Sequence, residues 1–433
     1  MRILLFISLL TLSSCKNDNK QTFFNGKILN KSSEKIILSV DENPLYNSII
    51  SESGNFSITI DSLESGLYNF FLQPEFQYVI LEEGDSIYIR LNSLDFDESL
   101  VFMGKGSAKN NFLIDVFLKN EEHNDILNSY YNASFDDFLI KVDSLFNNQK
   151  ELFKEFKQNN RLSYLSGNLI LDAIKYPLLE KIQSYIVSNN LDLNRLEIDY
   201  SKYEIDFNNN SISSYKPYID FIYLYSFNLT KSISDHNFQV ERLKILDSLV
   251  QSDDIKSKLF RFLAFEILLN EKSLKEKRIF FKEFKNISDY SSINNEVEIL
   301  LKNQLQLLPG KSFPSIKGYG LNGSIKDIST ISNKKIIFFW SYDQNAHFNS
   351  IYQKINSLEN KYLSHKLISL NINDDFDKWK SNYKPTKNVT ELQTNDFEYM
   401  SKKLILDNLN KVFIVDENNI IQAIGSINDF IRN

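Results

Sequence analysis

The sequence predicts a multidomain α+β protein: a β-sandwich-like domain over residues 22–106, a helical region over 107–305 and an α/β domain over 306–433. Three observations carry that reading. Between Thr22 and Gly106, short β-forming runs are punctuated by glycine-centred turn signals. From Ser107 to Leu305 apolar residues recur at helical spacing instead. Beyond Lys335 an unbroken apolar run gives way to a polar elbow and then a helical period, the order of a buried strand feeding a helix.

Composition bounds the rest. A chain of 433 residues, 42% hydrophobic, is long and apolar enough for two or three domains with real cores. Net charge is −7, from 49 basic and 56 acidic residues without long runs, which argues against nucleic acid and anionic lipid as partners. With 12 Gly, 7 Pro and no internal repeat, low-complexity linkers are not expected. A single cysteine excludes a disulfide within the chain, so stability must come from packing.

The first residues, MRILLFISLLTLSSC, read as a targeting segment. Arg2 is a positive start, and Ile3 to Leu12 is an apolar core too short to span a bilayer. Leu12-Ser13-Ser14-Cys15 resembles a bacterial lipobox. That resemblance implies a signal peptide over residues 1–14, a lipidated Cys15, and a polar tether over residues 15–21. Buried acyl chains contribute about 0.8 kcal/mol per CH₂. The mature protein is therefore expected in the cell envelope, lipid-anchored at the outer membrane.

In the β segment, Lys35–Val40, Asn55–Ile60, Leu67–Leu72 and Ser86–Leu91 are the clearest runs, with turns at Ser53-Gly54, Ser65-Gly66 and Glu83-Gly84-Asp85. Ile58/Ile60 and Ile87/Ile89 put apolar side chains on one face, as in a small antiparallel sandwich or meander. No polar cluster here suggests catalysis.

In the helical region, Phe138, Val142, Leu145, Phe146, Leu152, Phe153 and Phe156 mark one apolar face. Leu259, Phe262, Leu263, Ile267, Phe280, Phe281 and Phe284 mark others. Pro177 is expected to kink a helix or separate two. Asp206 to Ser214 reads as a loop ahead of the aromatic helix Tyr218–Phe227, whose rings are read as bundle core rather than a ligand groove. His123 and His236 stand apart from any Cys or His at ligand spacing, so no metal and no cofactor is expected.

In the last segment Ile336–Trp340 is the buried strand, Ser341–Asn345 the elbow, and Phe348, Ile351, Tyr352, Ile355 and Leu358 the helix face. Lys366–Ile372 (strand), Asp374–Tyr383 and Phe397–Leu404 (helices), Lys411–Asp416 and Ile420–Gly425 (an antiparallel pair) and the short helix Ile427–Arg432 follow. From Leu308 to Arg432 this succession resembles the thioredoxin superfamily, most closely the TlpA-like disulfide reductases. Pro309–Pro314 resembles the family's entry segment and Gly320–Gly323 its early hairpin. The resemblance implies a thioredoxin-like α/β fold here. Gly26-Lys27-Ile28, Gly54-Asn55-Phe56, Glu83–Ile87 and Phe102–Gly106 in turn resemble the domain that precedes the thioredoxin domain in many bacteroidete lipoproteins.

The family's signature is Phe-Trp, small residues, then Cys-x-x-Cys opening a helix. On that pattern Gln344 takes the first cysteine position and His347 the second. The family's cis-proline stands three residues before the Phe of its Phe-x-x-Asp strand, which here is Phe413, so the position is Asn410. A cis bond before a non-proline costs roughly 3 kcal/mol. Asn410 is therefore expected close to the elbow with a trans bond before it. Asp343 and His347 share one elbow and an acid–base pair can be imagined, but the preferred reading is a helix start with Asp343 as N-cap. His365 is read as surface. No catalytic residue is assigned. The expected function is a tethered binding or scaffold protein with a cysteine-less thioredoxin-like domain and a protein or peptide partner. The alternative is a TlpA-family thiol-disulfide oxidoreductase by family assignment only.

Overall fold

The computed structural model describes residues 20–433 except 42, 234–236, 272, 374, 383–388 and 433. Cys15, the expected signal peptide and His236 lie outside the described residues, as do the two ends of the expected helix Asp374–Tyr383. The chain divides into two compact units, one ending at Phe260 and the other beginning at Arg261.

The first unit opens with eight strands: β1 Thr22–Leu29, β2 Lys35–Val40, β3 Asn43–Ile49, β4 Asn55–Ile60, β5 Gly66–Leu72, β6 Glu75–Leu81, β7 Ser86–Asn92 and β8 Val101–Lys105. They form two four-stranded sheets, ordered β4-β1-β7-β8 and β3-β2-β5-β6. One face of each is buried in a shared core that includes Phe24, Ile58, Phe70, Ile87 and Ile89. Pairing is not all antiparallel as expected: β1 and β7 run parallel, joined through the other sheet. Gly26 makes that close approach possible, because a Cβ there would lie 2.5 Å from the Ile89 side chain. The expected runs did not include β1, β3, β6 and β8. All but two residues of β3 are exposed, and it contains Pro44, so it shows no apolar alternation.

A short helix, α1 (Phe96–Ser99), precedes β8, and α2 (Ser107–Ser129) follows it. Two adjacent residues of α2 each cap one edge of a sheet. The Asn110 amide accepts from Ile80 N–H (2.7 Å) and donates to Ile80 C=O (2.9 Å), capping edge strand β6. Asn111 does the same for Phe102 on edge strand β8, both bonds 2.9 Å. Each side chain offers the donor–acceptor pair that a neighbouring strand would offer. Lys109, just before them, is buried and bridges Glu82 (2.5 Å) and Asp85 (2.6 Å).

The remaining helices of this unit are α3 (Phe135–Asn159), α4 (Tyr164–Ser188), α5 (Lys216–Ile233), α6 (Phe238–Leu249) and the first part of α7 (Asp253–Asn270). Ser134 and Ser163 cap α3 and α4, accepting from Asp137 N–H (3.2 Å) and Ser166 N–H (2.9 Å). Of the two expected outcomes at Pro177, separation into two helices does not occur: α4 runs unbroken through it. The proline removes the bond to the carbonyl of Ala173, and that carbonyl instead accepts from Asn120 Nδ2 at 3.1 Å, with the Tyr215 hydroxyl at 3.4 Å. Leu152 (50% exposed) lies off the buried face of α3, and Phe262 (46% exposed) off that of α7, correcting two expected core positions. Tyr218 and Phe221 are fully buried, with Tyr218 against Tyr176 at 4.6 Å, so these rings are core. The Asp206–Ser214 stretch is a loop containing one 3-10 turn, Asn210–Ile212.

The second unit carries the end of α7, then α8 (Leu274–Ile287), α9 (Ser291–Gln306) and a mixed sheet. Its strands are β9 Lys317–Tyr319, β10 Ile325–Asp327, β11 Lys335–Trp340, β12 Lys366–Asn371, β13 Val389–Thr394, β14 Lys411–Val415 and β15 Ile421–Ser426. Their order is β10-β9-β13-β12-β11-β14-β15, with β11 parallel to β12 and antiparallel to β14. The helices are α10 (Asn345–Lys361), α11 (Phe376–Asn382), α12 (Phe397–Leu404) and α13 (Ile427–Arg432). Every residue of β11 is buried, because the sheet has an apolar core on each face: Ile337, Phe339 and Phe413 on one, Ile336, Phe338, Ile355 and Trp379 on the other. Strand β13 was not foreseen. Its Glu391 and Gln393 are polar yet buried, which hides the alternation of a covered strand.

Candidate functional site

The candidate site is the elbow where β11 hands over to α10. Trp340 closes the strand, its ring 4.7 Å from Phe348 on the first turn of the helix. Asn373, just past β12, pins the elbow: its Oδ1 accepts from Ser341 Oγ (2.8 Å) and Tyr342 N–H (3.1 Å), and its Nδ2 donates to Asp343 (2.7 Å). Asp343 also pairs with Lys378 at 2.9 Å, and that ammonium lies 4.6 Å over the Tyr342 ring. The N-cap is Gln344, not Asp343 as expected, and its side chain makes no capping bond. Asp343 is spent on Asn373 and Lys378, one residue too early to reach the helix amides.

Gln344 is exposed, and His347 is half-buried three residues on, on the same helix start. Both imidazole nitrogens of His347 are shielded from solvent without a well-formed hydrogen bond. Burial holds its pKa below the ordinary histidine value; the facing Asn410 side chain works against that and Lys354 adds to it. The ring is thus biased toward its neutral form, and its partner is not Asp343, so the imagined acid–base pair does not assemble. Asn410 stands beside the elbow, as the β11–β14 pairing of Ile337 with Phe413 requires. The Leu409–Asn410 peptide is trans. Both main-chain polar groups of Asn410 are engaged within the chain: its N–H donates to Asn408 Oδ1 (3.0 Å) and its C=O accepts from Ile427 N–H (2.8 Å). An extended peptide has no free partner at that residue.

With that geometry in view, comparison with known proteins gives solved structures only. No family model matches the chain, and no curated protein does. The solved structures it is similar to are thiol-disulfide oxidoreductases and a thioredoxin-like protein. The thioredoxin domain of a thiol-disulfide oxidoreductase from Bacteroides vulgatus is 16% identical, with 29% of this chain and 93% of that one covered and a TM-score of 0.23. A thioredoxin-like protein from Bacteroides caccae is 12% identical over 59% of this chain and 91% of its own, with a TM-score of 0.34. A thiol-disulfide oxidoreductase from Bacteroides fragilis is 15% identical, covering 26% and 89%, with a TM-score of 0.21. Likeness at this level transfers no activity to the chain.

Behind the elbow lies a buried acid that the sequence reading missed. Glu391 on β13 accepts from the Tyr352 hydroxyl of α10 (2.7 Å) and from Ser369 Oγ on β12. Ser369 Oγ also accepts from Trp340 Nε1 at 3.3 Å. Burial raises the Glu391 pKa, and the hydroxyl bonds only partly offset it. The sequence carries no apolar alternation here that would have marked Glu391 as buried. Of the other singled-out histidines, His123 is buried with Gln149 Nε2 3.1 Å from its Nδ1, and His365 is half-buried against Tyr362. Among the described residues no group of three or more His, Cys, Asp or Glu is placed to hold a metal ion, and no helix is long and apolar enough to cross a membrane.

Proposed function

We propose that the protein is a cell-envelope lipoprotein, tethered through Cys15, whose thioredoxin-like C-terminal domain binds a protein or peptide without dithiol chemistry. The observation that carries this reading is the helix start itself, where Gln344 and His347 stand at the two cysteine positions of the resembled motif. Exchange requires a thiolate that attacks a disulfide sulfur, and neither an amide nor an imidazole does that. The chain's single cysteine is assigned to the anchor. The engaged backbone of Asn410 supports a platform that no longer pairs with substrate in the old way.

Mature protein should give no dithiol-dependent insulin reduction above buffer. The Gln344→Cys/His347→Cys double variant, with its thiols one helical turn apart, serves as the positive control and should form a reducible disulfide. Wild-type turnover that persists after contaminating reductases are removed would sink the proposal and favour the competing assignment, a TlpA-like thiol-disulfide oxidoreductase. Cys15→Ser should move the protein from the membrane to the soluble fraction with its folded body intact. Retention in the membrane after that change would point to another attachment.

A further inference from the structure

A sizeable cavity lies away from the elbow. It is an open groove of about 560 Å³ within the second unit, between α9, the end of α7 and the turn that leaves α12. Its apolar walls are Phe265, Leu269, Ile299, Leu300, Ile405 and Leu406, and seven polar or charged residues complete the lining. Leu269 and Ile299 are 41% and 47% exposed there, so apolar surface stands in water. The turn is unusual. Ile405 adopts a left-handed backbone (φ 51°), a conformation that a β-branched residue rarely takes. It is held by Leu406 N–H donating to Ser401 C=O (2.9 Å) and by Lys411 Nζ donating to Ile405 C=O. A strained residue on the wall of a groove directs attention to binding.

We propose that this groove binds an uncharged, apolar small molecule. Charge decides the class. Each charged lining residue already has a partner within the chain: Glu296 is gripped by Arg261 through two bonds of 2.8 and 2.7 Å, Lys402 pairs with Glu398 at 2.7 Å, and Asp407 lies 3.8 Å from Lys411. Asn303 spends its amide on the Lys402 carbonyl at 3.1 Å. These charges are engaged within the chain, whereas the apolar wall gains by being covered. Size fits the same class: small-molecule sites run from about 300 to 1,000 Å³, and this groove of about 560 Å³ lies within that range.

The test is a fluorescence titration of the full mature chain with N-phenyl-1-naphthylamine, an uncharged apolar probe. Saturable binding is expected, and Ile299→Asp and Leu269→Asp should each weaken it by about tenfold or more, since the probe would bury a carboxylate. Leu363→Asp, at an 85% exposed leucine outside the groove, should leave it unchanged. Both groove positions are exposed in the free protein, so melting temperatures should hold; Ile299→Asn replaces any variant that does not fold. Absence of saturable binding, or equal binding by wild type and groove variants, overturns the proposal. A concentration-dependent dimer that Ile299→Asp breaks apart also overturns it, because a second copy would then cover the groove.

Discussion

Lys109→Met is expected to destabilise the first unit by about 3–5 kcal/mol, because it leaves two carboxylates without their cation. Lys109 is 5% exposed, and Asp85 is equally buried. Burial pushes the Glu82 carboxyl up, but hydrogen bonds from Lys109 and Ser163, with the ammonium charge, outweigh it and hold the pKa below the ordinary value. The cluster leaves no room to rearrange: a Cβ on Gly106, which has a φ of 93°, would sit 2.6 Å from the Asp85 carboxyl carbon. Urea denaturation followed by far-UV circular dichroism reads the loss. Adding Glu82→Gln and Asp85→Asn should recover part of it, since the orphaned charges are the main cost. A loss below about 1 kcal/mol would mean that water reaches the cluster. The depressed Glu82 pKa adds a pH signature: its contribution is present above the carboxyl's ordinary value and fades as pH falls through the folded value.

Glu391 is expected to behave in the opposite sense. Its folded pKa is raised, so the folded state holds the proton more tightly than the unfolded chain. Its contribution is complete below the ordinary value of 4.5 and is lost as pH rises through the folded value. Glu391→Gln should therefore melt higher than wild type at about pH 8, with the gap closing toward about pH 4. Glu391→Ala should lose about 1–3 kcal/mol even at the acid end, because the Tyr352 and Ser369 hydroxyls lose their acceptor. Tryptophan emission is the natural readout, since Trp340 donates to Ser369 within the same cluster. A Glu391→Gln variant whose gap does not change with pH would show that the acid titrates normally.

The parts of the fold legible in the sequence are those where burial and apolarity coincide. Ile336–Trp340 is apolar throughout and buried on both faces, and Phe397–Leu404 and Ile427–Arg432 form as helices over the spans expected. Legibility fails where tertiary partners override a local rule. Pro177 sits inside α4, its freed carbonyl taken by Asn120 and Tyr215, both far away in sequence. Asp343 has the chemistry of an N-cap but is drawn off by Asn373 and Lys378. The same limit governs the site. Placing Asn410 beside His347 needed only strand alignment, whereas the acid behind the elbow depends on Ser369 and Tyr352 converging from two other elements.

The two asparagines on α2 bear on when the sandwich is safe during synthesis. A chain that has reached Gly106 already contains every strand, yet β6 and β8 would each present an unpaired edge to any other nascent chain. Only when Asn110 and Asn111 have left the ribosome, on a helix long enough to hold its first turn, are both edges closed. A break introduced between Lys105 and Asn111 would sever no strand. It would nonetheless uncover the two edges, β6 and β8, that the helix otherwise caps.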